Sequence, residues 1–269
     1  MTSITLEDVS VDFPIYGSRR NLRKHLFQTA TGGLIRSEGR RSQHVIVRAL
    51  DRVSLKIEHG DRVGLMGHNG AGKSTLLRVL AGVYAPTEGR VAIEGGISPL
   101  FSASPGIDYD ATGYENLMTC GMFLGMSRAQ IAERTRDIEE FCELGEYLTL
   151  PMRTYSSGMV TRFTFALATT IDPEILLLDE GIGTGDARFA ERAAKRTDAL
   201  VGRSHILVIA SHSDAMIRSM CNKAILMAKG RVIGSGSIDD MVALYHEQPA
   251  VSAGAALAGA ENGDLVAAV

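Results

Sequence analysis

The chain lacks the features that would place it outside the cytoplasm or within a membrane. Its three cysteines, Cys120, Cys142 and Cys221, are scattered and odd in number. They offer neither a disulfide framework nor a metal-binding spacing, so a reducing compartment is expected. The opening MTSITLEDVS has no basic region followed by an apolar core, so it does not read as a secretory signal. The longest apolar runs, such as ILLL at 175–178 and ILVIA at 206–210, fall far short of a membrane span. An excess of positive charge is lacking too. A net charge of −3 provides no field to hold nucleic acid non-specifically. These absences leave a soluble or membrane-peripheral protein, expected in the cytoplasm. Apolar residues make up 45% of the 269, enough for the core of one sizeable α/β domain or two small ones.

Residues 4–13, ITLEDVSVDF, alternate as a strand does. RVSLKIEHGDRVGLMG, residues 52–67, reads as a strand pair turning at 58–61. Between them, 14–48 is expected to be an insertion, with a short helix at NLRKHLFQ. Its stretch 18–41 holds seven Lys/Arg and one Glu. Such a surface suits plain solvation, or contact with anionic lipid head groups or a partner protein. A helix is expected from 76 to 83, ended by Pro86, and then a turn and strand in PTEGRVAIEG. Residues 114–147 are expected to be mostly helical, with Leu117, Ile131, Ile138, Phe141 and Leu144 among the apolar positions. A further helix is expected at 159–170. EILLLDE (174–180) and SHILVIASH (204–212) read as buried strands, and KAILMAKGRVIGSG (223–236) as a hairpin turning at Lys229 and Gly230. Strands alternating with helices predict an α/β fold whose mostly parallel sheet is covered on both faces. Residues 249–269, rich in small side chains, are expected to form a disordered tail.

GHNGAGKST at 67–75 satisfies G-x-x-x-x-G-K-[ST] between a predicted strand and a predicted helix. Gly67, His68, Asn69, Gly70, Ala71, Gly72, Lys73, Ser74 and Thr75 are therefore the candidate phosphate-binding loop. The glycines let the backbone wrap phosphates, and successive N–H groups with the helix N-terminus offer partial positive charge. Lys73 is expected to reach the β- and γ-phosphates, and Ser74 to hold Mg²⁺. The dinucleotide spacing G-x-G-x-x-G is absent here. ILLLDE places Asp179 and Glu180 at the carboxyl end of a strand too apolar to be exposed, where parallel α/β folds bind ligands. Asp179 can hold the metal's water shell. Glu180 can polarise a water for attack on the γ-phosphate.

The order GHNGAGKST, YSSGM, LLLDE, TGD and SH resembles the nucleotide-binding subunit of ATP-binding cassette transporters, over about residues 3 to 245. The resemblance implies a phosphate-loop NTPase domain over 1–248. It would have a mostly parallel core sheet, an antiparallel β subdomain and a helical subdomain at about 103–165. YSSGM stands where the family has LSGGQ: Ser156 and Gly158 keep their places, while Ser157 and Met159 replace Gly and Gln. In the family this motif, at a positive helix end, closes on the ATP of a second copy. ATP with Mg²⁺ and a homodimer are thus implied. By the same resemblance Asp186 of GIGTGD sits in the loop that crosses between subunits. His212 of ASHS is the switch histidine on the γ-phosphate. Phe13 is the aromatic that stacks on adenine, with Tyr16 as its competitor. Ser102 stands where the family has a glutamine touching Mg²⁺ and the attacking water.

YSSGM, GIGTGD, TGYEN, the early insertion and ISPLFSASPGID together resemble the exporters of bacterial surface polysaccharides: O-antigen or lipopolysaccharide, capsule and teichoic acid. That branch implies two copies of a polytopic permease in the inner membrane. This chain would be peripheral at the cytoplasmic face, and the permease would handle most of the polysaccharide. Some members carry a C-terminal sugar-binding β-domain; this chain is expected to be the short form. The alternatives are a transporter for another substrate, a catalytically silent subunit, and a soluble cassette acting on DNA or ribosomes. The last would call for coiled arms or a tandem cassette, and neither is visible; Glu180 and His212 speak against the silent subunit.

Overall fold

The computed structural model describes residues 2–15, 34–37, 45–100, 106–179 and 187–247. Strand β1 (Ser3–Ile15) pairs antiparallel with β3 (Val45–Glu58) and with β5 (Glu88–Glu94), and β2 (Leu34–Ser37) extends the sheet beyond β3. Along β1 the buried apolar side chains are first Ile4 and Leu6, then Val9 and Val11. An uninterrupted strand would put these two pairs on opposite faces. A bulge at Asp8, whose φ is 49°, shifts the phase by one residue and turns both pairs inward. Phe13 then shares the inner face of Val9 and Val11.

The second sheet has the order β10-β9-β4-β8-β7-β6. Its members are β4 (Arg62–Met66), β6 (Ile97–Pro99), β7 (Ile175–Asp179), β8 (Ile206–Ala210), β9 (Lys223–Ala228) and β10 (Arg231–Gly236). Every neighbouring pair is parallel except β9–β10. That pair is the expected hairpin. Lys229 and Gly230 both take positive φ, 50° and 78°, as a two-residue turn matched to strand twist does.

Two expectations need correction. Residues 52–67 do not form a strand pair. The turn is there, with the Asp61 N–H donating to the Glu58 carbonyl at 3.0 Å, but β3 stays in the antiparallel sheet and β4 enters the parallel one. The cause is composition. β3 ends with exposed Lys56 and Glu58, whereas VGLM in β4 is buried throughout and needs cover on both faces. The insertion expected at 14–48 also contributes strand at both its ends and within it. Pro14 and Ile15 continue β1 opposite Ile46 and Val45, and β2 pairs with β3. The helix expected at 21–28 and the tail at 249–269 lie outside the described residues.

Helix α1 (Lys73–Leu80) follows β4 and packs on β7 and β8 through buried Leu76, Leu77, Val79 and Leu80. It begins and ends earlier than expected. Its stop is Gly82, not Pro86: Gly82 N–H donates to Val79 O and Val83 N–H to Arg78 O, with φ of 72° at the glycine. Helices α2 (Gly113–Phe123), α3 (Arg128–Cys142) and α4 (Ser157–Ala168) build a second apolar cluster, which Phe189 and Ala193 of α5 (Ala187–Arg203) complete. Helices α6 (Asp214–Met220) and α7 (Ile238–Glu247) cover the β9 side of the sheet. Among the described residues no helix is long and apolar enough to cross a membrane.

Candidate functional site

The strand order β4-β8-β7 gathers three sequence motifs at one edge. Leu65 and Asp179 both lie opposite Ala210 of the strand between them. The loop after β4, Asp179 at the end of β7 and the Ser211–His212 turn after β8 therefore share the carboxyl end of the sheet.

The phosphate loop is held from two sides. A Cβ on Gly67 would stand 2.3 Å from the Met227 carbonyl of β9, and one on Gly72 3.0 Å from the Ala49 carbonyl of β3. Both glycines also take positive φ, 142° and 106°, so the two strands and the backbone path leave no room for side chains there. Ala71 is buried, donates its N–H to the His68 carbonyl at 3.0 Å and accepts from the Gly230 N–H at 2.9 Å. His68, Asn69 and Gly70 are exposed, while Ser74 and Thr75 are half-buried in the first turn of α1. The Lys73 Nζ donates to the carbonyls of Gly67 and His68, which lays the ammonium across the loop. Gly72 caps α1 without a side chain, and the first turn carries no acidic residue. The helix's N-terminal N–H groups thus meet no carboxylate of their own first turn, which suits an anion. Phosphate groups suit this cradle by charge and by the glycines' lack of side chains. A serine hydroxyl with an aspartate is a hard oxygen pair of the kind Mg²⁺ accepts beside phosphates.

His212 is presented by a fixed turn. Ser211 is fully buried; its N–H donates to the Leu65 carbonyl at 3.3 Å and its Oγ accepts from the Ser213 N–H at 2.9 Å. Ser213 caps α6. His212 between them is exposed. Two adjacent residues of α7 reach this region. The Tyr245 ring lies 4.8 Å from that of His68 in the phosphate loop, and His246 Nε2 is 2.8 Å from Asp214 Oδ2 in the first turn of α6.

The YSSGM motif opens α4. The Ser156 Oγ accepts from the Met159 N–H at 3.3 Å, and Ser156 and Ser157 are exposed. A Cβ on Gly158 would meet nothing nearer than Ser156 Oγ at 3.9 Å, so this chain's own packing does not require glycine there. Ser156, Gly158, Met159 and Arg162 line an open groove of about 420 Å³ with Glu143 and Tyr147. Tyr155 donates its hydroxyl to the Tyr147 carbonyl at 2.7 Å, and burial pushes its phenol up to about 12. TGYEN is structural: Thr112 and Glu115 form a capping box on α2, and buried Asn116 ties down the loop from Asp108 to Thr112.

Phe13 is half-buried on the rim of the main core and meets Tyr84 edge-on at 5.1 Å. The sequence reading missed Tyr84, which lies in an irregular turn without a motif of its own. Tyr16, Ser102, Glu180 and Asp186 lie outside the described residues.

Sheet order and loop geometry together define a phosphate-loop NTPase fold. Residues 50–183 match the family model "ABC transporter". The chain is 46% identical over 233 residues to the O-antigen export system ATP-binding protein RfbE of Yersinia enterocolitica, covering 86% of this chain and 97% of that one. It is 36% identical to RfbB of Myxococcus xanthus, another O-antigen export ATP-binding protein, and 31% to the teichoic acids export ATP-binding protein TagH of Bacillus cereus. Those two are longer, and the chain spans 56% and 42% of their lengths. Among solved structures, an ATP-binding subunit of an ABC transporter superposes with a TM-score of 0.63 over 90% of this chain and 93% of that one. A dimeric ATP-binding cassette bound to ADP and Pi gives 0.62 over 87% and 98%. Both are 21% identical, a level at which the likeness establishes the fold. The chain belongs to the ATP-binding subunits of ABC transporters.

Proposed function

We propose that this chain hydrolyses ATP to power export of a surface polysaccharide of the O-antigen or lipopolysaccharide type. It would act as a homodimer on two copies of a polytopic permease at the cytoplasmic face of the inner membrane. The observation that carries the reading is the 46% identity running through 97% of an O-antigen export ATP-binding protein. The open space before Gly158 supports the dimer, since it leaves the N-terminus of α4 accessible to a phosphate held by another copy.

In this reading backbone N–H groups of the loop and of the first turn of α1, with the Lys73 ammonium, bind the β- and γ-phosphates and offset the charge that develops on them. Mg²⁺, when bound, neutralises phosphate charge; Ser74 and Asp179 would hold it, with Ser102 as a further oxygen. The Glu180 carboxylate takes a proton from the water that attacks the γ-phosphorus, and ADP departs with the electron pair of the broken P–O bond. His212 steadies the γ-phosphate from its fixed turn, and Asp186 is assigned a role in the contact with the second copy. Phe13 stacks on the base. Two nucleotides between two chains favour the closed dimer, and hydrolysis returns the open one, so binding energy acts as a population shift on the permease. The test is complementation. Cells lacking the chain should retain finished polymer inside, and Glu180→Gln should not restore its surface display; polymer at the surface without the chain would refute the assignment.

A further inference from the structure

A charge relay with a buried centre, Arg48 and Asp51, joins the base-facing strand to the phosphate loop. Asp12, the residue before Phe13, is opposite Arg48 across β1 and β3. Arg48 Nε donates to Asp12 Oδ1 at 2.8 Å and a terminal nitrogen donates to Oδ2 at 2.7 Å. Its other terminal nitrogen reaches Asp51 Oδ1 at 3.3 Å. Asp51 is 2% exposed, and its Oδ2 accepts from both Nε (2.8 Å) and a terminal nitrogen of Arg231 at the start of β10. The Asp51 N–H donates to the Gly230 carbonyl at 2.9 Å, and the Gly230 N–H in turn donates to Ala71 in the phosphate loop. The contact is flush, since a Cβ on Gly230 would lie 2.6 Å from the Ala49 carbonyl.

Arg48 and Asp51 are buried, and charges so placed are costly unless paired, as both are here. Hydrogen bonding to Asp12 raises Arg48 above the usual guanidinium range, and the Arg231 hydrogen bond lowers Asp51. The chain Phe13–Asp12–Arg48–Asp51–Arg231–Gly230–Ala71 thus crosses both sheets. Asp12 and Phe13 point to opposite faces of β1, so gripping Asp12 also fixes the rotation of the strand that aims the Phe13 ring.

We propose that Arg48, Asp51 and Arg231 are positioning residues that set the distance and angle between the base platform at Phe13 and the phosphate cradle at 67–75. This rests on the reading of Phe13 as the base-stacking residue. The relay does not touch the phosphates, so its loss should be felt by a ligand that carries a base and not by one that lacks it.

The experiment is a calorimetric titration of the full chain with ADP and with inorganic pyrophosphate, each with Mg²⁺. Arg48→Met and Arg231→Met should weaken ADP about tenfold, the size of one base–aromatic stack, with less than about a twofold change for pyrophosphate. Arg231→Lys should recover most of the ADP affinity. Arg231 is half-exposed and its removal leaves Asp51 paired with Arg48, so that variant carries the test should Arg48→Met not fold. Phe13→Ala is the reference. If it shows the base-selective loss and the Arg231 variant loses both ligands equally, or neither, the relay is refuted alone. If Phe13→Ala shows no base-selective loss, the platform reading falls and the relay with it.

Discussion

Tyr155 of the YSSGM motif lies against Gly113 of TGYEN: a Cβ built on Gly113 would stand 2.5 Å from the Tyr155 hydroxyl and 3.0 Å from the Leu148 Cα. Two short motifs over forty residues apart in sequence are thus one contact. Gly113→Ala must move Tyr155 or the backbone of Leu148, an overpacking cost of about 1–3 kcal/mol. We expect a lowered urea midpoint and reduced ATPase turnover, with nucleotide affinity at the phosphate loop unchanged. Unaltered melting and turnover would show that the contact yields without consequence.

The same contact gives a pH dependence. Burial raises the Tyr155 phenol to about 12 from an unfolded value near 10. A raised folded value means that the unfolded chain releases this proton first. The contribution is therefore complete below about pH 10 and is lost as pH climbs towards 12. Stability measured by urea should fall across that window, and less steeply in Tyr155→Phe. Equal slopes for the two proteins would assign the fall to other groups.

The two motif glycines Gly67 and Gly158 should respond oppositely to alanine. At Gly67 the new methyl meets the Met227 carbonyl at 2.3 Å, and strain of about 1–3 kcal/mol falls on the phosphate loop. Nucleotide binding by the mutated chain should drop by about tenfold or more. At Gly158 the methyl enters open space, so binding by the same chain should persist while turnover falls, because the obstruction serves a neighbour's nucleotide. Titration with ADP alongside an ATPase assay separates the cases.

Glu180→Gln should accumulate an ATP-bound dimer, measurable by light scattering under saturating ATP and Mg²⁺. A monomer under those conditions contradicts the proposed pairing of two chains.

Ser156→Arg should leave ATP binding by its own chain intact yet abolish hydrolysis. It also removes the α4 cap, at a cost of about 1 kcal/mol, so the melting temperature is recorded beside the rate. Unchanged hydrolysis would release Ser156 from the active dimer.

Much of this architecture was legible in the sequence because its signals are local. GHNGAGKST between a strand and a helix, the apolar run before Asp179, and the Lys229–Gly230 turn each declare themselves within a dozen residues. The partition of β3 and β4 into separate sheets was not legible, since one tight turn serves a hairpin and a crossing between sheets alike. The early end of α1 is not legible either, since Gly82 and Pro86 are both helix breakers and only the positive φ of Gly82 shows which one closes the helix. Least legible was Asp51, whose partner Arg231 is 180 residues away. No spacing rule joins such a pair; only the approach of the β9–β10 hairpin to β3 does.

The position of α7 bears on how this protein can be handled. Tyr245 rests on His68, so a fluorophore or purification handle joined directly after Glu247 would ride beside the nucleotide mouth and report on, or disturb, every ligand that enters. Thr2 bonds instead to His205, just before β8 and thus at the sheet's far, amino-terminal edge. Labels for binding studies belong at that end, and environment-sensitive dyes meant to follow the catalytic cycle belong at the other.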